Sequence, residues 1–288
     1  MPMPILVRDG ATIAYTDTGT PAGRPEAPTI AFGHGLLFSG WMFHRQIAVL
    51  RERYRCVTVD WRGQGHSPPA RGGYDMDALT ADAVALIQEL GVGPVHWIGL
   101  SMGGFVGQRI AARRGELLRS LTLLDTSATA DEPGKARRYR LLAWLQQFVG
   151  ITAVLATVKP ILFGPAFLAD PANAETIDEW VHRLARLDRT AIRKAVYGVA
   201  DRLPISHEIT GISVPTLVIV GSDDSATPPA ESEQIATLVP GAELHIVPDC
   251  GHTSTLEQPE TITSLLEKFL AAVESGASSS ATRNTSAD

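Results

Sequence analysis

What most constrains this chain is an alternation repeated along its length. Six short apolar runs, each closed by Gly, Asp or Ser, occur at 29–35 (TIAFGHG), 55–60 (RCVTVD), 95–101 (VHWIGLS), 118–125 (LRSLTLLD), 215–224 (PTLVIVGSDD) and 242–249 (AELHIVPD). Between most of them lie stretches of helical periodicity, at 76–90, 103–114, 230–238 and 259–273. Uninterrupted apolar strands alternating with helices predict βαβ units and a mostly parallel sheet covered on both faces. In such a sheet the loops after the strands' C-terminal ends carry the chemistry. Ahead of these units, ATIAYTDT (11–18) alternates and ends in a Gly/Pro-rich turn, which predicts an antiparallel edge pair with the residues before it.

One stretch breaks the alternation. From about 128 to 209 no strand is evident, while Leu141, Leu145 and Phe148, and later Ile177, Trp180, Val181 and Leu184, recur at helical spacing. We read this as an inserted helical block, its apolar stripes as packing residues and the basic run KARRYR (135–140) as a solvated helix face. The 288 residues, 44% of them apolar, then form one α/β core (1–127 and 210–274) with a helical cap or lid inserted at 128–209. Residues 275–288 are small and polar and read as a disordered tail.

Charge narrows the partners. Lys and Arg number 25 against 31 Asp and Glu, with no long block of either sign, so neither nucleic acid nor an anionic membrane surface is expected. The expected partner is a small molecule. MPMPILVRDG at the start lacks the pattern of a secretory signal, and no apolar run approaches the ~18 residues of a membrane span. With only Cys56 and Cys250 there is no disulfide framework or Cys-rich zinc site, and a cytoplasmic location is the expectation.

Gly99-Leu100-Ser101-Met102-Gly103 matches G-x-S-x-G. The bare pattern arises easily by chance. Its setting is more specific, because it falls at the end of a predicted strand and opens a predicted helix, as a nucleophile elbow requires. Glycines two positions either side of the serine leave room for strand and helix to cross closely, and the strained turn lifts the Ser101 hydroxyl above the sheet. A serine hydroxyl needs a base to take its proton and a carboxylate to fix the base's tautomer. In this architecture their order is serine, acid, histidine. His252, in PDCGHTSTLEQPE after the last predicted strand, is the candidate base. Asp224, third after Gly221, is the favoured acid; Asp223 beside it and Asp125 at the end of the strand after the elbow remain alternatives. Two backbone donors are needed for an oxyanion. Met102 N-H supplies one, and Leu36 N-H in GHGLLFSGW the other, with Leu37 as the fallback and His34 as a loop brace.

HGLLFSG, DWRGQGHS, GLSMGG, GSDDSATPP and CGHTSTLEQPE, in this order, resemble the α/β-hydrolase superfamily over roughly residues 25–273. The resemblance implies an eight-stranded sheet with a helical cap inserted after the sixth strand. GLSMGGFVGQRIAARR, LTLLDTSA and ATPP are most similar to the 3-oxoadipate enol-lactonase branch and related small esterases. Serine rather than aspartate at 101 disfavours dehalogenase and epoxide-hydrolase chemistry. The absence of HGGG disfavours the hormone-sensitive-lipase oxyanion loop. No H-E-x-x-H, C-x-x-C or G-x-G-x-x-G after the first strand points to a metal or dinucleotide, and no cofactor is expected.

The expected activity is hydrolysis of a small carboxylic ester or lactone through an acyl-enzyme. Cofactor-free perhydrolysis of the haloperoxidase type, or C-C bond hydrolysis, would use the same triad, and a non-catalytic ligand receptor is the alternative outside enzymology. Trp144, Phe148, Phe163, Phe167 and Trp180 in the inserted block are the expected pocket residues.

Overall fold

The structure is a computed structural model that describes residues 3–276. Eight strands, β1 (Ile5–Arg8), β2 (Ala11–Asp17), β3 (Thr29–Gly33), β4 (Arg55–Val59), β5 (Val95–Leu100), β6 (Leu118–Leu124), β7 (Thr216–Gly221) and β8 (Glu243–Val247), form one sheet. Its order is β1-β2-β4-β3-β5-β6-β7-β8. Strand β2 pairs antiparallel with β1 and β4, and every other pairing is parallel, with Phe32 opposite Ile98 and Leu124 opposite Ile219. The expected antiparallel edge pair is thus β1-β2.

The central strands β3, β5 and β7 are buried at every position, which explains their continuous apolar runs. Successive side chains point to opposite faces. Ile30 and Phe32 join a core with Ile262 and Leu266, while Ala31 and Trp97 join a second core with Leu79 and Ile110. Helices α1 (His44–Leu50) and α11 (Pro259–Glu274) supply the first core; α2 (Met76–Leu90), α3 (Met102–Arg113) and α9 (Pro229–Leu238) supply the second. Helix α2 shows how local sequence sets these boundaries: the Asp75 carboxylate accepts the Ala78 N-H at its start, and Gly91 closes it at φ 61°. Helix α1 is too short for its periodicity to stand out from the loop around it.

Between β6 and β7 the chain leaves the sheet for five helices, α4 (Pro133–Val149), α5 (Leu155–Leu162), α6 (Pro165–Ala169), α7 (Ala174–Ala185) and α8 (Arg189–Ala200). This block is stitched to the loops at the strands' C-terminal ends. Thr253 Oγ1 donates to Leu162 O at 3.1 Å, and Gly164 N-H donates to Glu257 Oε2 at 2.9 Å from the short helix α10 (Ser254–Glu257). Of the two stripes expected to pack, Ile177, Trp180 and Leu184 are buried and Val181 half-buried. The other is reversed: Leu141, Leu145 and Phe148 face solvent, and α4 instead buries the stripe through Ala136, Ala143 and Gln146. The tail expected at 275–288 lies, from 277 on, outside the described residues. Among those described, no helix is long and apolar enough to cross a membrane.

Candidate active site

Strand β5 delivers Ser101 into a backbone conformation of φ 51° and ψ −110°, outside the regions open to ordinary residues. The strain is held in place from both sides. Ser101 N-H donates to Leu124 O at 2.8 Å, and the Thr126 hydroxyl and Phe105 N-H both donate to Ser101 O at 2.9 Å. The flanking glycines are dictated by contact: a Cβ on Gly99 would lie 2.2 Å from Gly103 O, and one on Gly103 would lie 1.8 Å from Gly33 O. Helix α3 begins at the next residue, so the positive end of its dipole abuts the serine.

Two further strand ends bring a histidine and a carboxylate to the same place. The loop after β8 carries His252, 5% exposed, whose Nδ1-H donates to Asp224 Oδ2 at 2.8 Å. Asp224, in the loop after β7, also accepts the Thr227 hydroxyl on Oδ2 at 2.9 Å. Its Oδ1 accepts the N-H groups of Ala226 at 2.8 Å and Thr227 at 2.9 Å. Burial lowers the affinity of the His252 ring for a proton, but the Asp224 charge and hydrogen bond, with Asp125 farther off, outweigh it and raise the pKa. Asp223 is exposed and points away, hydrogen-bonded to Ser222. Asp125 lies at the end of β6 with φ 47°, fully buried, and is engaged by Gly221 N-H and by the backbone N-H and hydroxyl of Ser254. Burial and the nearby Asp224 charge hold its carboxyl well above the usual carboxylate range.

The loop after β3 closes the site. Gly35–Phe38 is a tight turn, Phe38 N-H donating to Gly35 O at 3.3 Å, and within it Leu37 sits at φ 68°. Leu37 N-H is taken by Gln64 Oε1 at 2.8 Å, whereas the N-H groups of Leu36 and Met102 have no acceptor among the described residues. Below this turn His34 is a brace. Trp61 N-H donates to its Nε2 at 3.1 Å, which leaves the proton on Nδ1 to donate to Gly35 O at 2.7 Å.

Ser101, Leu36, Leu37 and His252 open onto one cavity of about 820 Å³, its mouth included. The Ser101 hydroxyl has no hydrogen-bond partner among the described residues, so it is free for an incoming group. The roof is aliphatic, formed by Leu142, Val154, Val158, Leu162, Ile192 and Val196 of the helical block. The five aromatics expected to line it do not. Trp144 and Phe148 are 46% and 63% exposed, on the outer side of α4. Phe163, Phe167 and Trp180 are buried in a cluster with Phe38, and Trp180 donates from Nε1 to Leu37 O at 3.1 Å. Those rings fill the space behind the wall, while its surface is mainly aliphatic, with Phe105 and Tyr139 the aromatic residues that reach it.

One end of the cavity is charged, which reasoning from sequence alone does not anticipate. Asp131, 3% exposed in its side chain, pairs with Arg202 through both oxygens at 2.9 and 3.2 Å and with Lys135 at 2.9 Å. Lys135 and Tyr139 thus leave the run expected to be solvated and turn inward, while Arg137 and Arg138 stay exposed. Their spacing with Leu142 and Gln146 was the available signal. Arg202 also donates to Thr129 O, Val199 O and Ser127 Oγ, so its guanidinium is committed within the protein. No group of three or more His, Cys, Asp or Glu side chains among the described residues is arranged to hold a metal ion.

Residues 28–259 match the family model of the α/β-hydrolase fold. The chain belongs to that family. It is 27% identical to 3-oxoadipate enol-lactonase 2 of Acinetobacter baylyi over 86% of this chain and 90% of that one. It is 29% identical to a Mycobacterium tuberculosis protein named as a non-heme bromoperoxidase, over 91% and 98%. A thermophilic esterase from Thermogutta terrifontis superposes with a TM-score of 0.84 at 28% identity, covering 94% of this hydrolase-family chain and 97% of the esterase. These three names span different reactions, so the substrate has to be argued from the cavity.

Proposed function

We propose that the protein is a serine esterase that hydrolyses a small carboxylic ester, or a lactone of similar size, through an acyl-enzyme. Ser101 Oγ attacks the carbonyl carbon as His252 Nε2 takes its proton. Asp224 holds the ring with its other proton on Nδ1 and stabilises the imidazolium that forms. The carbonyl oxygen, now anionic, is received by the N-H groups of Leu36 and Met102. His252 returns the proton to the leaving alkoxide. Water then attacks the acyl carbon with His252 again as base, releasing the acid and restoring Ser101. The inserted helices act as a cap that keeps bulk water from the acyl chain.

The observation that carries this reading is the pair of unsatisfied N-H groups, Leu36 and Met102, beside a serine hydroxyl that is itself unpartnered and shares its cavity with the His252-Asp224 pair. The cavity lining supports a neutral aliphatic portion in the substrate, because the guanidinium at its end is already spent on Asp131. Incubation with a fluorophosphonate followed by mass spectrometry, beside p-nitrophenyl esters of increasing acyl length, tests it. Stoichiometric labelling of Ser101, and loss of turnover in Ser101→Ala, are expected. An unlabelled protein, or a Ser101→Ala variant hydrolysing p-nitrophenyl butyrate at the wild-type rate, would refute it.

A further inference from the structure

Leu37 is a branched residue held at φ 68° where glycine is usual. Its neighbour Leu36 is the oxyanion donor of the proposed esterase mechanism, and the role assigned here to the turn rests on that mechanism. Such a conformation persists only where surrounding contacts over-determine it. Two contacts do so, and they come from opposite directions. From the core loop after β4, the buried Gln64 accepts the Leu37 N-H at 2.8 Å. From α7 in the inserted block, the buried Trp180 donates its indole N-H to the Leu37 carbonyl at 3.1 Å. Phe38, next in the turn, is stacked on Trp180 with ring centroids 5.8 Å apart.

We infer that Gln64 and Trp180 are positioning residues that hold the two peptide groups flanking Leu37, fixing its φ and ψ, and thereby hold the Leu36 N-H where the oxyanion forms. The oxyanion hole is on this account completed by the inserted block, through a single hydrogen bond from Trp180. With either bond gone, the strained residue is free to rotate toward negative φ. Leu36 belongs to the same four-residue turn and moves with it. Gln64 lies in DWRGQGHS and Trp180 in the inserted helices, far apart in sequence, and both bond to Leu37.

The test separates alignment from substrate binding and from folding. Trp180→Phe keeps an aromatic ring and removes the N-H; Gln64→Leu removes the acceptor at similar volume; Gln64→Glu keeps an acceptor. Complete loss of an oxyanion donor costs about 10²–10³ in kcat, so a misaligned one is expected to cost about ten-fold. Each of the first two variants should lose about that much kcat with KM little changed, and should bind a trifluoromethyl ketone correspondingly more weakly. The double variant should lose less than the product of the two, since both bonds hold one residue in one backbone conformation, and Gln64→Glu should recover part of the rate. Unchanged kcat and ketone affinity in both single variants, or a loss confined to KM, would overturn the inference.

A wild-type protein that turns over no ester would refute the esterase reading instead. Hydrogen exchange across residues 36–38 would then decide the clamp: faster exchange in Trp180→Phe supports it, and equal exchange overturns it.

Discussion

Replacing Asp224 by asparagine keeps the shape of the side chain and reverses one hydrogen bond. The Oδ1 position faces two fixed backbone donors, Ala226 and Thr227 N-H, at 2.8 and 2.9 Å. The Oδ2 position faces the His252 ring at 2.8 Å and the Thr227 hydroxyl at 2.9 Å. An asparagine has one accepting and one donating end. Its oxygen must take the Oδ1 position, because an NH₂ group there would leave buried donors facing one another at a cost of about 1–3 kcal/mol each. The NH₂ group then points at His252 Nδ1 and donates to it, while the Thr227 hydroxyl turns to accept. Nδ1 can accept only if the ring proton sits on Nε2, the atom that must take the proton of Ser101. The same substitution in a serine triad lowers kcat by about 10⁴, which is roughly 5 kcal/mol of transition-state stabilisation. We expect that loss in hydrolysis of p-nitrophenyl butyrate, with Tm little changed. Nitrogen-15 NMR of the His252 ring should show its proton moved from Nδ1 to Nε2. A variant retaining more than a tenth of wild-type kcat, or still protonated at Nδ1, would refute the reasoning.

Because burial of His252 is outweighed by Asp224, its pKa lies above the ordinary 6.5, and the proposed mechanism needs the neutral ring. kcat/KM should therefore rise with pH through a midpoint above 6.5, and Asp224→Asn should move that midpoint down; a wild-type midpoint at or below 6.5 would contradict this. The same shift favours the folded state fully below the unfolded pKa, and that contribution is lost as pH rises through the folded one. Asp125 has a raised carboxyl pKa, so the unfolded chain ionises first: stability should fall as pH climbs from the usual carboxylate range toward the folded pKa. Urea titrations at several pH values should show this slope flattened in Asp125→Asn, and an unchanged slope would count against it. Ser101→Gly removes the proposed nucleophile but also removes backbone strain of about 1–3 kcal/mol, less about 0.5–1 kcal/mol for the freer unfolded chain. Its Tm should rise, and a fall would show the elbow to be unstrained. Arg202→Leu strips Asp131 of its bidentate partner inside the protein, and a loss of about 3 kcal/mol is expected in urea unfolding; a loss under 1 kcal/mol would show the ion pair to be replaceable.

The sheet was legible because a strand buried on both faces has to be apolar throughout, and six runs ended in residues that break strands, although the last, edge strand β8, is largely exposed. Ser101 could be read because Gly99 and Gly103 mark a close crossing that no other residue permits. Asp224 and Asp223 are chemically identical and adjacent, and only the turn geometry that caps Asp224 with Ala226 and Thr227 brings one of them to His252. The helical block was legible as helices but not in its facing. Helix α4 carries apolar residues on both sides, and the larger ones, Leu141, Trp144 and Phe148, face outward. A pattern rule that buries the bulkier stripe reverses such a helix. Trp180 was legible as an apolar packing position and Gln64 only as part of DWRGQGHS; nothing local signals their hydrogen bonds to Leu37, which is distant in the chain from both.

The position of the helical block between β6 and β7 also governs how the molecule is assembled. Strands β3 to β6, α3 and the turn bearing Leu36 are all made before the block begins, and β7 pairs with β6 only after the whole excursion has been synthesised. The proposed nucleophile and both proposed oxyanion donors therefore emerge first. The proposed acid and base, after β7 and β8, arrive last. Until those strands dock, the growing chain holds a strained serine beside a helix terminus with no base to activate it, and the exposed edge of β6 must wait unpaired for a distant partner. A delay in completing the block leaves that edge open to other chains, so folding yield depends on how quickly the inserted helices form.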